Sequence, residues 1–178
     1  MAALTPKEIM LKQSDGSVAK AEGGIWKLFV LGILAGAFIA FGAQASLMGS
    51  FNLTSNPETF GVGKVVMGAI FPVGLMMVVM CGAELFTGNC LMIIGVMDKK
   101  IRVAQMIRNW IIVYIGNFVG SMAVVCGMAV SGLWNSGGGL LGAMTVKTAV
   151  GKCSLDFGSA VVLGIFCNVL VCLAVWMA

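Results

Sequence analysis

The residues best suited to chemistry lie in one short stretch of an apolar segment. Between Lys64 and Asp98 the only charged residue is Glu84, and the stretch around it is Cys-Gly-Ala-Glu-Leu-Phe-Thr-Gly-Asn over residues 81–89. This stretch brings together a carboxylate, a hydroxyl, a side-chain amide and two glycines. Such groups at membrane depth either bind a polar ligand or hydrogen-bond backbone that has left a helix.

The length of this apolar segment predicts a break in it. As one straight helix, residues 65–97 would be ~50 Å long, whereas the hydrocarbon core of a bilayer is ~30 Å thick. A single long, tilted helix is the alternative. We favour a broken helix because it also explains the polar residues at 81–89. Broken helices often form substrate sites, since the ends of the half-helices direct their dipoles at the ligand.

Composition excludes several kinds of chemistry. The 178 residues include no His, and the six Cys form no CxxC pair, so we expect neither a metal site nor a cofactor. A membrane-embedded enzyme would need clustered titratable groups at membrane depth, whereas Glu84 stands alone. The sequence therefore does not predict an enzyme.

The same composition indicates a membrane protein. Hydrophobic residues make up 60% of the chain and charged residues 10%, against about 25% charged in an average soluble domain. One core of this size cannot bury so much apolar surface, so lipid must cover part of it. The net charge of +4 falls in short flanks beside apolar segments, which argues against nucleic-acid binding. We predict an all-α integral membrane protein.

Apolar segments and their flanks divide the chain into an N-terminal segment, residues 1–24, and a transmembrane domain, residues 25–178. The four predicted spans are about 25–48, 62–97 (broken near 82–89), 107–133 and 156–178.

Two regions outside the spans carry their own predictions. In the N-terminal segment, Thr5, Pro6 and Glu8 predict the start of an amphipathic helix at the membrane surface. A partly ordered tail is the alternative there. Residues 134–156 are polar and rich in glycine, so we expect a flexible connection.

Basic residues predict the orientation. They precede the first span and follow the second, at Lys7, Lys12, Lys20, Lys27, Lys99, Lys100, Arg102 and Arg108. The connection 49–63 has no Lys or Arg, and the connection 134–156 has only Lys147 and Lys152. Because basic connections stay inside the cell, we expect a cytoplasmic N-terminus.

Three motifs resemble those of the formate/nitrite transporter family, and the resemblance covers nearly the whole chain. The first is the stretch 81–89 in the broken second span. The second is Asn-Val-Leu-Val-Cys-Leu-Ala-Val-Trp-Met over residues 168–177. The third is the set in the predicted third span, Asn109, Trp110, Tyr114, Gly116 and Asn117.

The resemblance implies an aquaporin-like helical bundle that assembles as a homopentamer with one pore per protomer. Family members pass formate, nitrite, hydrosulfide and similar small weak-acid anions. It therefore implies a channel or transporter for small monovalent anions in a bacterial inner membrane, with formate as the first candidate and a proton as a candidate co-substrate. The residues leave open which anion is carried, in which direction, and whether by a channel or a proton-coupled carrier.

The resemblance also assigns roles to single residues. Leu85, Phe86 and Thr87 would bound the cytoplasmic side of the pore. Phe71 and Leu75 would line an apolar constriction nearer the periplasm. The remaining pore residues would be Asn168 and Val171 on the fourth span and Lys152 in the periplasmic vestibule.

Each of these residues has a structural alternative. We expect Glu84, with Asn89, to stabilise the loop rather than to contact substrate. Thr87 has the alternative of bonding a backbone carbonyl, and Asn168 that of joining two helices. The alternatives for the others are ordinary helix packing (Phe71 and Leu75) and a solvated loop charge (Lys152).

One departure from the family is large. The family has six helices in two inverted three-helix repeats, and this sequence matches the first four. The second broken helix and its pore His fall outside the match. We therefore expect a truncated product or incomplete sequence, and a non-conducting structural or regulatory subunit is the alternative function.

Overall fold

The computed structural model describes residues 4–178, which contain helices and connections but no strand. Eight α-helices follow one another as α1 (Pro6–Glu22), α2 (Ile25–Ser55), α3 (Phe60–Ile70), α4 (Pro72–Met80), α5 (Ile93–Met97), α6 (Val103–Val130), α7 (Leu140–Cys153) and α8 (Phe157–Met177). Two short 3-10 helices lie at Gly88–Met92 and Leu133–Asn135.

Helix α1 begins with a complete capping box. The Thr5 hydroxyl accepts a hydrogen bond from the Glu8 amide at 3.4 Å, and Glu8 Oε2 accepts one from the Thr5 amide at 2.7 Å. The buried face of this helix consists of small residues, Ser14, Ser17 and Ala21. These small side chains allow the protein-facing side of the predicted amphipathic helix to pack closely on the rest of the chain.

Polar contacts fix α1 to the connection that follows α5 and to the start of α6. The Ser14 hydroxyl donates to Asp98 Oδ2 at 2.5 Å, and Lys100 Nζ lies 2.6 Å from Asp15 Oδ1. The Arg108 guanidinium donates to the carbonyl oxygens of Ala21 and Gly23 at 2.9 and 2.8 Å. These last bonds satisfy carbonyls that the end of a helix leaves unpaired.

Helices α2 and α6 pack against each other through glycines. A Cβ atom added at Gly36 would lie 2.0 Å from the carbonyl oxygen of Asn117, and one at Gly120 would lie 1.9 Å from that of Ile33. No side chain fits at either position, so the backbones meet directly. Glycines spaced four apart on both helices allow this approach, as in many membrane helix pairs.

The second membrane crossing is interrupted twice. Helix α3 ends at Ile70 and α4 starts at Pro72, which has no backbone N–H to continue a helix. Helix α4 ends at Met80, and residues 81–87, which we call the break, carry no helix. The chain resumes as the 3-10 helix Gly88–Met92 and then α5.

The connection 134–156 differs from the expected flexible link. It contains the 14-residue helix α7, which follows three glycines, Gly137 to Gly139, with φ of 61°, 67° and 88°. Leu141 in this helix is fully buried, and the Trp134 indole donates to Gln44 of α2 at 3.4 Å. The three glycines form a sharp turn that leads into a helix, so this glycine-rich stretch is not a flexible link.

Four helical segments are long and apolar enough to cross a membrane: Ile25–Ser55, Phe60–Met80, Val103–Val130 and Phe157–Met177. Much of their apolar surface is exposed in the single chain, and α8 contains no buried residue. A soluble monomer rarely exposes so large an apolar surface. The chain is an all-α, multi-pass membrane protein.

Candidate functional site

The break turns sharply at Gly82 and is tied to two helices by backbone bonds. Gly82 has φ of +66°, a left-handed conformation that favours glycine. The Ala83 amide donates to the Val78 carbonyl of α4 at 3.0 Å, and the Glu84 amide donates to the Leu31 carbonyl of α2 at 3.2 Å. The second bond joins the break to the neighbouring transmembrane helix.

Asn117 of α6 hydrogen-bonds backbone groups of the break and of α2. Its amide nitrogen donates to the Gly32 carbonyl at 2.8 Å and to the Glu84 carbonyl at 2.9 Å. Its amide oxygen accepts from the Phe86 N–H at 2.9 Å. Backbone that leaves a helix at membrane depth needs such partners. One side chain thus holds the break between α2 and α6.

The Glu84 carboxylate lies in a polar cluster with Lys20, Asn89 and Asn109. Glu84 Oε2 accepts from Lys20 Nζ at 3.0 Å and from Asn89 Nδ2 at 2.6 Å. Lys20 Nζ also donates to Asn89 Oδ1 at 2.6 Å, and Asn89 Nδ2 donates to Asn109 Oδ1 at 2.8 Å. The Glu84 side chain is 12% exposed. Its carboxylate is therefore engaged by protein donors, which favours a structural role.

Helix α8 approaches the break through Asn168 and Cys172. The Asn168 amide donates to Cys90 Sγ at 3.1 Å, and the Cys172 thiol lies 3.4 Å from the Thr87 carbonyl oxygen and 3.0 Å from Asn168 Oδ1. The Thr87 hydroxyl has no hydrogen-bond partner among residues 4–178. The Thr87 hydroxyl remains available to a ligand. The Asn168 amide, in contrast, bonds the thiols of Cys90 and Cys172.

A cavity of about 300 Å³, the α1-side cavity, lies against the break. Its lining includes Lys20, Leu75, Glu84, Leu85 and Val175. It combines an apolar wall with the polar cluster around Glu84. Leu75 and Leu85 share this one cavity, although the family resemblance places them in separate constrictions.

The other expected pore residues take different positions. The Phe86 ring packs edge-on against Trp110 and Tyr114, with ring centroids 6.0 and 5.4 Å apart, so it points at α6 and not into the α1-side cavity. Phe71 lies exposed at the kink before Pro72. These ring contacts anchor the break on α6, and the pore role expected for Phe86 stays a prediction.

Two further expected residues lie on α8 and α7. Val171 is half-buried on α8, three positions after Asn168. Lys152 lines a second cavity of about 390 Å³, the α7-side cavity, which does not include the break. The structure therefore brings Leu75, Leu85, Thr87 and Asn168 to the break and leaves Lys152 apart.

Lys20 and Asn117 organise the break, but the sequence alone does not show which residues they contact. From the sequence, Lys20 is only one of several flanking charges, and nothing there points to Glu84. The sequence does indicate a hydrogen-bonding role for Asn117, because an amide in an apolar span needs a partner. Its three backbone partners, however, lie in elements far away along the chain.

The comparisons with known proteins agree with one another. The family model for formate/nitrite transporters matches residues 7–178. The chain is 40% identical over 173 residues to a probable formate transporter of Methanothermobacter thermautotrophicus, covering 89% of this chain and 63% of that protein. It is 36% identical over 185 residues to the formate channel FocA of Escherichia coli (strain K12), covering 100% and 64%. The chain thus spans less than two thirds of these relatives.

Solved structures show the same likeness. An FNT family ion channel superposes with a TM-score of 0.81 and 28% identity, covering 96% of this chain and 68% of that one. A pentameric formate channel with formate bound gives a TM-score of 0.71 and 34% identity, covering 86% and 59%. These likenesses show that the chain has the fold of these channels.

Proposed function

The chain belongs to the formate/nitrite transporter family, and we propose that it contributes the first four helices of a transmembrane pore for small monovalent weak-acid anions, formate foremost. The observation that carries this proposal is the break itself. Protein donors and acceptors hold its backbone, and beside it the Thr87 hydroxyl is free and the apolar residues Leu75 and Leu85 share a cavity. The named relatives support formate over nitrite and hydrosulfide.

The physical problem for such a pore is the dehydration of the anion, which costs far more than burying a neutral polar group. In our proposal, Leu75 and Leu85 form an apolar constriction that excludes bulk water and hydrated ions. Thr87 and Asn168 offer hydrogen bonds beside it, and Val171 continues the wall on α8. Lys152 attracts anions at the far mouth. The permeant crosses the constriction paired with a proton, as the neutral acid.

Glu84 and Asn89 have a positioning role in this proposal. The carboxylate is already engaged by Lys20 and Asn89, so it fixes the break and does not bind the permeant. Phe86 anchors the same loop on α6 through Trp110 and Tyr114. Phe71, at the kink before Pro72, would face the path farther from α1.

The proposed assembly is a homopentamer with one pore per protomer, surrounded by lipid. Two observations support it: the likeness to a pentameric formate channel and the exposed apolar residues of α6, including Ile111, Phe118 and Met122. Cross-linking in native membranes, followed by mass measurement, tests the stoichiometry.

The proposed orientation places α1 on the cytoplasmic side of a bacterial inner membrane. The two basic segments, before α2 and after α5, meet at the same end of the molecule through the contacts of Asp15 with Lys100 and of Arg108 with the end of α1. That end should face the cytoplasm. Trypsin should cleave α1 in inside-out vesicles and spare it in sealed right-side-out vesicles.

Anion uptake tests the function. Proteoliposomes holding the 178-residue chain, or a version extended by two further helices of the family, are mixed with formate, nitrite and hydrosulfide in a stopped-flow instrument. Formate uptake above that of empty liposomes by either version supports the pore. If neither version moves any of the three anions while folded, the pore fails and a non-conducting structural subunit becomes the better account.

A further inference from the structure

The α7-side cavity lies at the end of the molecule opposite α1. It forms where the end of α2, the start of α3, helix α7 and the start of α8 meet. Lys64, Lys147 and Lys152 all line it, although they come from two elements far apart along the chain. Only Lys152 has a place in the proposed pore. Lys64 and Lys147 need a separate explanation.

None of these three lysines forms an ion pair with a carboxylate of the described residues. In the described part of the chain, ion pairs join only Lys20 to Glu84 and Lys100 to Asp15. Asp156 follows α7, but its Oδ1 accepts the Ser159 amide at 3.0 Å and caps α8. Hydrogen bonds from the Ser159 side chain and backbone lower the pKa of the Asp156 carboxyl.

The Lys64 ammonium lies beside an aromatic ring. This ammonium lies 5.3 Å from the centroid of the Phe60 ring, one helical turn earlier on α3, and Phe60 also lines the cavity. The position over an aromatic face stabilises the charge and limits its freedom. Thr54 and Thr148 add hydroxyls to the lining.

Three like charges around one space repel one another, and an anion between them removes that cost. A doubly charged anion gains twice as much from each lysine as a singly charged one at the same distance. The positive-inside rule does not account for the lysines either, since this is the end with few basic residues. The cavity, at about 390 Å³, has room for a tetrahedral oxyanion.

We propose that Lys64, Lys147 and Lys152 form a binding site for a doubly charged oxyanion of the sulfate or phosphate class at the mouth opposite α1. Such an ion is too strongly hydrated to enter an apolar constriction and stays in the cavity. If the proposed pore function holds, sulfate on this side slows formate uptake by occupying the mouth. Binding itself does not depend on that function.

Sulfate titration of the purified chain in detergent, followed by calorimetry at constant ionic strength, tests the site. Sulfate should bind about tenfold more tightly than formate or chloride, by the charge argument above. Lys64→Gln and Lys147→Gln should each weaken sulfate binding about five- to tenfold, while Lys64→Arg retains it. Lys12→Gln, which removes an exposed lysine of α1, should leave it unchanged.

The binding results either support or overturn the proposed oxyanion site. Weaker sulfate binding by both glutamine variants, with circular dichroism spectra like that of the unchanged chain, supports the site. Equal affinities for sulfate and chloride overturn it, as does equal weakening by Lys12→Gln and Lys64→Gln. Binding of phosphatidylglycerol micelles without binding of sulfate also overturns it, because it would identify a lipid surface.

Discussion

Lys20 of α1 and Glu84 of the break form an ion pair 3.0 Å long across 64 residues of sequence. Lys20 also bonds Asn89, which lies in the 3-10 helix that follows the break. The N-terminal helix is therefore part of the support for the second membrane crossing. A contact at one end of the molecule holds the backbone on which the proposed pore depends.

Removing either charge of this pair should destabilise the protein. Lys20→Met leaves the Glu84 carboxylate without its cation, and Glu84→Gln leaves the ammonium without its anion. For a partly buried pair we expect each to cost about 2 kcal/mol, which lowers the melting temperature in detergent by roughly 4–8 °C. The double variant should lose less than the sum of the two. Strictly additive losses would mean that the two side chains do not interact.

Asn117 should be the most sensitive side chain around the break. Asn117→Leu keeps the size but leaves the Phe86 N–H and the Gly32 and Glu84 carbonyls without their partner. Three lost hydrogen bonds should cost about 3 kcal/mol, measured as a lower melting temperature. Asn52→Leu, at an exposed position of α2, is the matched control and should change little. Similar losses in both variants would contradict the role of Asn117.

Two glycines of α6 should respond oppositely to alanine. At Gly120 a Cβ would meet the Ile33 carbonyl oxygen, so Gly120→Ala should force α2 and α6 apart and cost about 1–3 kcal/mol. At Gly127 no atom lies within 4 Å of an added Cβ, so Gly127→Ala should stabilise by up to about 1 kcal/mol through helix propensity. Thermal unfolding of the two variants side by side measures both signs. A stabilising Gly120→Ala would disprove the direct backbone contact.

The start of α1 should depend on pH. Hydrogen bonds from the Thr5 amide and hydroxyl hold the pKa of the Glu8 carboxyl below its ordinary value of 4.5. Because the folded pKa is lowered, the contribution of the capping box is present above pH 4.5 and is lost as the pH falls through the lowered value. The Thr5 amide resonance should titrate with Glu8 in micelle NMR spectra. Glu8→Gln should keep the helix start and abolish this titration.

Part of this architecture follows from the sequence alone. The break was predictable because residues 65–97 are too long for one crossing and carry polar groups in the middle. The fold class followed from composition, and the fold of a related ion channel confirms it. The family was recognisable from three motifs, and the match over residues 7–178 confirms that prediction.

Other features needed the structure. No periodicity governs side-chain direction in non-helical backbone, so the turn of Phe86 toward Trp110 was not foreseeable. The partnership of Lys20 with Glu84 depends on packing between distant elements. Glycines at 137–139 predict a flexible link from the sequence, whereas in the structure they form a turn before helix α7.

Formate uptake by Thr87→Trp tests the central claim, that the break lies in the permeation path. The variant is made in whichever version of the chain conducts, beside Leu11→Trp, which changes an exposed residue of α1. Size-exclusion profiles and circular dichroism establish that both variants fold and assemble alike. We predict that Thr87→Trp reduces uptake to the level of empty liposomes, while Leu11→Trp conducts normally. Undiminished uptake by a well-folded Thr87→Trp would contradict the account.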